Sequence, residues 1–223
     1  MVINKNQISI NAEGKENKFC ACIFDFDGVV MDTEKYHYNA WKSAFARHGI
    51  ELTEEEYAPL KSTGKYVIEC VGRRAGCNFT EREKEGIYST KIEVFSQLIK
   101  DISERDIVCG VLDFLALLKE NKVKTAVASS ARTTTTLIQK FGLRSLFDAV
   151  VDGNSGHKKK PSPDIFLAAS KQLDVPNGEC LVFEDSVAGI EAAVNAGMSV
   201  ISVGIRDGRA LGYISDFNDV LNL

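Results

Sequence analysis

The chain lacks the features that would direct it to nucleic acid, a bilayer or an oxidising compartment. Its 27 Lys and Arg against 31 Asp and Glu leave a formal net charge of −4. No basic surplus is available to hold a phosphate backbone or an anionic leaflet. The first stretch, MVINKNQISINAEGKENK, has no apolar core of the kind a secretory leader needs, and no run approaches the roughly 18 apolar residues of a membrane span. The six cysteines, Cys20, Cys22, Cys70, Cys77, Cys109 and Cys180, form no C-x-x-C pair and no framework spacing. Cys20 and Cys22 alternate within an apolar run, where a free thiol packs as a small hydrophobe. No internal repeat or low-complexity tract is present. The expectation is a cytoplasmic protein, monomeric or a weak homodimer, whose partner is a small molecule, with neither nucleic acid nor membrane.

What is present is a core and a rhythm. With 223 residues, 44% hydrophobic and 26% charged, the chain can bury one large domain or a domain carrying an insertion. FCACIFDF (19–26), KTAVASS (124–130), FDAVVDG (147–153), CLVFEDS (180–186) and MSVISVG (198–204) are short apolar runs closed by polar residues or glycine, the pattern of strands buried on both faces. Between them lie helical patterns: VLDFLALLKEN (111–121), TTTLIQKFG closing on Gly142, PDIFLAASKQLD with Pro163 and Asp164 in its first turn, and VAGIEAAVNAG closing on Gly197. Strand alternating with helix predicts an α/β fold, a doubly wound parallel sheet of Rossmann-like form. Residues 34–106 break the rhythm, being helical by pattern and rich in Glu and Lys, and so predict an α-helical cap inserted into a core of 1–33 and 107–223. Residues 1–17 fit either a flexible tail or an added edge strand.

In an open parallel sheet, ligands collect at the carboxyl ends of the strands. Asp25 and Asp27 follow CACIF, Ser129 and Ser130 follow TAVA, and Glu184 and Asp185 follow CLVF, so three strand ends supply one crevice. Residues two apart in an extended segment face the same way, which brings Asp25 and Asp27 to one small volume while Phe26 turns back to pack. Either aspartate alone could cap a turn before Gly28, and Glu184 and Asp185 could begin a helix before Ser186. The combination is what points to a divalent cation among repelling carboxylates, and hard oxygen ligands of this number suit Mg²⁺. Lys160, in KKKPSPDIF, supplies counter-charge for an anionic substrate, although a run of three lysines is more often a solvated loop. Ser129 and the backbone N–H groups of the turn that opens a helix at about Thr133 add donors for phosphate oxygens. Phosphoryl transfer to or from a small phosphate ester follows.

DFDGVVMDTE, the Ser129 strand end, Lys160 ahead of PSPD, and FEDSVAGIEAAVNAG together resemble the four motifs of the haloacid dehalogenase superfamily, in order over residues 20–205. The subgroup most similar contains beta-phosphoglucomutase and the sugar-phosphate phosphatases, whose helical cap is inserted at the same place. The resemblance implies that Asp25 attacks phosphorus and becomes an aspartyl-phosphate. It implies that Asp27 protonates the leaving alcohol and then activates the incoming water or hydroxyl. It assigns Mg²⁺ to Asp25, the backbone carbonyl of Asp27 and Asp185, with Glu184 acting directly or through water, and the transferring phosphoryl group to Ser129, Ser130 and Lys160.

In the cap, His37 lies four residues before Trp41 on TEKYHYNAWKSAFARHG and is either a packed histidine or, as the resemblance implies, a contact to Asp27 and substrate. Trp41, Lys61 and Lys65 complete the candidate substrate contacts. The mutase pattern expects Gly after the first lysine and then Ser-Arg, where this chain has Ser62 and Gly64-Lys65. Replacing Arg by Lys loses bidentate phosphate recognition. The expected activity is therefore Mg²⁺-dependent hydrolysis of a sugar phosphate, with beta-phosphoglucomutase activity as the alternative. A dehalogenase needs neither the second aspartate nor a metal, and a silent binding module would not need Asp25, Asp27, Lys160 and Asp185 all to be present.

Overall fold

A computed structural model describes residues 1–12, 14–61 and 63–221. The chain forms two compact units, Met1–Asp32 with Ile107–Leu223, and Thr33–Asp106.

The first unit is built on a six-stranded sheet. Three earlier strands, β1 (Val2–Asn4), β2 (Gln7–Ala12) and β3 (Lys15–Phe19), form a sheet of their own. The large sheet contains β4 (Ala21–Phe24), β5 (Lys124–Ala128), β6 (Ala149–Val151), β7 (Cys180–Glu184), β8 (Ser199–Val203) and β9 (Gly212–Ile214). Its order is β6-β5-β4-β7-β8-β9, with every neighbouring pair parallel. From β4 the chain winds outward through β5 and β6, then returns to the other side of β4 for β7, β8 and β9. The order reverses between β4 and β7, the place where such sheets open a crevice. The five apolar runs read from the sequence are strands. The sixth, Gly212–Ile214, was not expected, having three residues and one buried side chain.

The period of two sorts the strands onto two faces. Ala21, Ile23, Ala126, Ala128 and Val182 pack with Phe166 of α7 (Asp164–Leu173) and Ile190 of α8 (Val187–Asn195). Cys22, Phe24 and Phe183 alternate to the opposite face. There the Phe24 and Phe183 rings stack at 5.0 Å, and Phe114 of α5 (Val111–Glu120) meets both edge-on. Phe217 closes the cluster 5.3 Å from Phe183. Each such aromatic pair contributes about 0.5–1.5 kcal/mol beyond its buried area.

Residues 1–17 are neither a tail nor an edge strand of the main sheet. They supply β1, β2 and most of β3, paired antiparallel. Ile8 and Ile10 alternate inward on β2, and Asn6 and Gly14 take the positive φ that the two connecting turns require. The small sheet is tied beside the amino ends of the parallel strands. Asn6 N–H donates to Asn121 O at 2.6 Å, and Cys20 N–H to Glu179 O at 2.9 Å.

The second unit is helical: α1 (Glu34–Ala46), α2 (Glu54–Tyr57), α3 (Tyr66–Arg74) and α4 (Glu81–Leu98). Its own core contains Tyr38, Trp41, Phe45, Leu52, Val71 and Ile87. Thr53 with Glu56, and Thr80 with Glu83, form reciprocal capping boxes that start α2 and α4.

Candidate active site

Four strand-end and loop segments of the first unit meet at the switch point. The main-chain turn after β4 is set by Phe26 O, which accepts from the N–H groups of Val30 and Met31, both at 3.0 Å. Gly28 sits inside that turn at φ +84°, and a Cβ there would lie 2.0 Å from Asp185 Oδ2. Only glycine lets the two loops approach this closely. Gly189 does the same for Glu184, since its Cβ would stand 2.0 Å from Glu184 Cδ.

Lys160 is the electrostatic centre. Its Nζ donates to Asp25 Oδ1 at 2.5 Å and to Glu184 Oε2 at 2.7 Å, and all three side chains are 5% exposed or less. The other Glu184 oxygen accepts from the Ser186 hydroxyl at 2.6 Å and the Ser186 N–H at 3.1 Å. Glu184 is thus held from both sides and in turn holds Lys160. Burial would push the Lys160 ammonium down, but the charges of Asp25 and Glu184 outweigh it and the group is raised. Asp25 is pushed up to about 8, first by burial and then by the charge of Glu184, which Lys160 only partly offsets.

Asp25, Glu184 and Asp185 offer carboxylate oxygens that lie within 4.8 Å of one another. A donor set of hard oxygens at this separation fits a divalent cation. Such a charge would also reverse the upward shift of Asp25.

The Asp27 side chain stands apart from this group. Ser129 Oγ donates to Asp27 Oδ2 at 3.4 Å and accepts from Ala131 N–H at 3.0 Å. The two aspartates two residues apart therefore have different surroundings, one against a cation and one against a hydroxyl. The Ser130 and Thr133 hydroxyls are shielded from solvent with no hydrogen-bond partner among the described residues, which a bound phosphate oxygen would satisfy. Their loop precedes α6 (Thr134–Lys140) and is backed by Gly153, whose Cβ would lie 2.4 Å from Ser130 O. Asp152 anchors the backing loop by accepting from Thr135 Oγ1 at 2.5 Å and Asn154 N–H at 2.9 Å.

The remaining candidates belong to the helical unit. The His37 ring stacks on Phe95 at 4.1 Å, and its Nδ1 is 2.9 Å from Lys91 Nζ. Lys91 is 6% exposed and lies 4.5 Å from the Phe95 ring centroid. Sequence reasoning missed it, because a lysine on a charged helix reads as solvated. Trp41, 3% exposed, packs in the core of this unit between Phe45 and Tyr88. Lys65 is engaged by Glu85 and lies over the Tyr88 ring. Lys61 ends the short turn Ala58–Leu60. Ser62, the departure from the mutase pattern beside it, lies outside the described residues. Ser186, Gly28 and Gly189 were also missed as site residues, since their roles arise from contacts between distant segments.

A family model described as haloacid dehalogenase-like hydrolase matches residues 22–203. The chain is 34% identical to beta-phosphoglucomutase of Bacillus subtilis (strain 168), covering 82% of this chain and 83% of that protein. It is 31% identical to a phosphorylated carbohydrates phosphatase of Thermotoga maritima, covering 86% and 89%. Among solved structures, beta-phosphoglucomutase from Clostridium difficile superposes with a TM-score of 0.80 at 29% identity, covering 91% of this chain and 93% of that one. The acidic strand ends, the buried lysine and the extent of these matches agree, and the chain belongs to the haloacid dehalogenase-like hydrolases.

Proposed function

We propose that the protein is a Mg²⁺-dependent phosphatase that hydrolyses a small phosphorylated metabolite, a sugar phosphate, through an aspartyl-phosphate on Asp25. The observation that carries this is the division of labour between the two aspartates: Asp25 lies against Lys160, and Asp27 lies against Ser129. Asp25 Oδ2 is the attacking atom, because Oδ1 is engaged by Lys160. Asp27 gives its proton to the leaving alkoxide and takes one from the water that attacks the acyl-phosphate. Lys160, Ser129 and the Ser130 hydroxyl bind the phosphoryl oxygens and stabilise their charge in the transition state. Asp25 and Asp185, with the carbonyl of Asp27, would hold Mg²⁺, which supplies charge neutralisation at phosphorus and keeps Asp25 ionised. Glu184 serves this set chiefly by holding Lys160. His37 and Lys61 are proposed as substrate contacts, and the helical unit 34–106 as a cap that moves during the cycle.

Transfer to a sugar hydroxyl, as a beta-phosphoglucomutase performs it, is the second possibility, favoured by the mutases among the relatives. Against it, Lys65 is a point charge engaged by Glu85, a poor substitute for a guanidinium fork on a second phosphate. The test is a panel of phosphate esters with and without Mg²⁺, together with beta-glucose 1-phosphate primed by glucose 1,6-bisphosphate. Release of phosphate faster than glucose 6-phosphate forms is expected, and the reverse order identifies a mutase. No release or transfer from any ester would reject both.

A further inference from the structure

The loop between β5 and α6 carries unsatisfied hydroxyls, yet its backbone is held from one side along its length. Ser129 N–H donates to Val151 O at 3.0 Å, Gly153 N–H to Ala131 O at 3.0 Å, and Asn154 Nδ2 to Arg132 O at 3.0 Å. All three contacts come from 151–154, the carboxyl end of β6 and the turn beyond it. Asp152, the one charged residue of that stretch, is 7% exposed. Its Oδ1 accepts from Asn154 N–H at 2.9 Å, and its Oδ2 accepts from Asn154 Nδ2 at 3.1 Å and from Thr135 Oγ1 at 2.5 Å. The amide that reaches Arg132 O is therefore oriented by the same carboxylate that grips α6.

Thr133 is the N-cap residue of α6, a position where a threonine hydroxyl ordinarily accepts from an amide of the first turn. Among the described residues it makes no such bond. Asp152 supplies the cap from the neighbouring strand end instead. Burial would raise its carboxyl, but the Thr135 hydroxyl, the Asn154 donors and the Thr135 N–H outweigh it and hold the group below its ordinary range. With α6 capped from outside, the Thr133 hydroxyl stays unpaired, as does that of Ser130. A shielded hydroxyl without a partner is costly, and a slack loop would turn it to water or to a carbonyl of its own.

We infer that Asp152 is a positioning residue: by capping α6 and orienting Asn154, it holds 129–135 in the shape that keeps the Ser130 and Thr133 hydroxyls for phosphate oxygens. Hydrogen bonds to an ionised carboxylate are the strong ones, so a single side chain is enough to stiffen the loop. This role rests on the phosphoryl binding proposed above for Ser130. It is the same whether water or a sugar accepts the phosphoryl group.

The test is calorimetric binding of inorganic phosphate to the full chain with Mg²⁺ present, comparing wild type with Asp152→Ala and Thr135→Val. Thr135→Val cuts the same tie from the α6 side and leaves the buried carboxylate in place, so it decides the matter if Asp152→Ala does not fold. Both variants should weaken phosphate at least about fivefold, while Mg²⁺ affinity without phosphate stays within about twofold of wild type. On a Ser130→Ala, Thr133→Val background the same substitutions should cost less than about twofold, because the hydroxyls they position are gone. An equal loss on that background, or an equal fall in Mg²⁺ affinity, would show general loosening and overturn the role of Asp152. So would phosphate held by both variants as tightly as by wild type. Wild type that binds no phosphate would overturn the phosphate reading of the loop itself, and the part of Asp152 with it.

Discussion

Lys160 Nζ lies 2.5 Å from Asp25 Oδ1, and neither side chain has more than 5% of its surface exposed. The contact joins residues 135 positions apart. Removing the cation leaves the Asp25 and Glu184 carboxylates buried together. Lys160→Met should lower stability in metal-free protein by about 3–5 kcal/mol, the range for breaking a buried pair from one side. Urea unfolding in EDTA measures this, and Mg²⁺ should recover part of the loss. Phosphoryl transfer should stay below about one-thousandth of wild type.

The raised Asp25 carboxyl makes metal-free stability depend on pH. Its folded pKa of about 8 lies above the unfolded value near 3.8, so the folded state binds the extra proton between these limits. Stability should fall as pH rises from about 4 to about 8 and level off beyond. Asp25→Asn should flatten that slope while abolishing turnover. Thermal unfolding in EDTA across the range checks the sign, and a slope unchanged in Asp25→Asn would assign the titration to another group.

With Mg²⁺ bound at Asp25 as proposed, cation binding and proton release would be coupled at the same carboxyl. Below pH 8 the metal must displace the Asp25 proton, so Mg²⁺ affinity should rise with pH up to that point. Calorimetric titration in two buffers of different ionisation enthalpy should show close to one proton released per ion at pH 6 and far less at pH 9. Equal release at both would remove Asp25 from the ligand set.

Gly28→Ala tests the close approach of the loops. The new Cβ would meet Asp185 Oδ2 at 2.0 Å in a backbone conformation, φ +84°, that L side chains rarely adopt. Asp185 must move, and Mg²⁺ affinity should fall by at least about tenfold, with about 1 kcal/mol or more of stability lost to the strained φ. Gly189→Ala should instead displace Glu184 and leave Mg²⁺ affinity nearer wild type, since its effect reaches the site through Lys160.

How much of this was legible in the sequence depends on whether a residue's role is local. Asp25, Asp27, Ser129, Glu184 and Asp185 were readable because each follows an apolar run, and the sheet delivers strand ends to one place. β9 was not, since three residues with one buried side chain carry no period. Ile8 and Ile10 are too few among polar neighbours to separate a small sheet from a tail. Trp41 and Lys91 were not placed by the sequence: the tryptophan packs in the core, and the lysine is buried against His37 and Phe95. Both outcomes are set by how α1 packs on α4, which no single stretch of chain encodes.

The stacked pair of Phe24 and Phe183 has a use beyond filling the sheet. These two residues are direct partners across β4 and β7, one position before Asp25 and Glu184. Because side chains alternate, a slip of one residue between the strands would carry a carboxylate into the aromatic layer and a ring out toward the lysine. The greasy face thus works as a keyway: two rings that fit only in one alignment index the charged groups on the far face. Enlarging or trimming either ring would shift the Asp25 and Glu184 carboxylates as well as loosen the core.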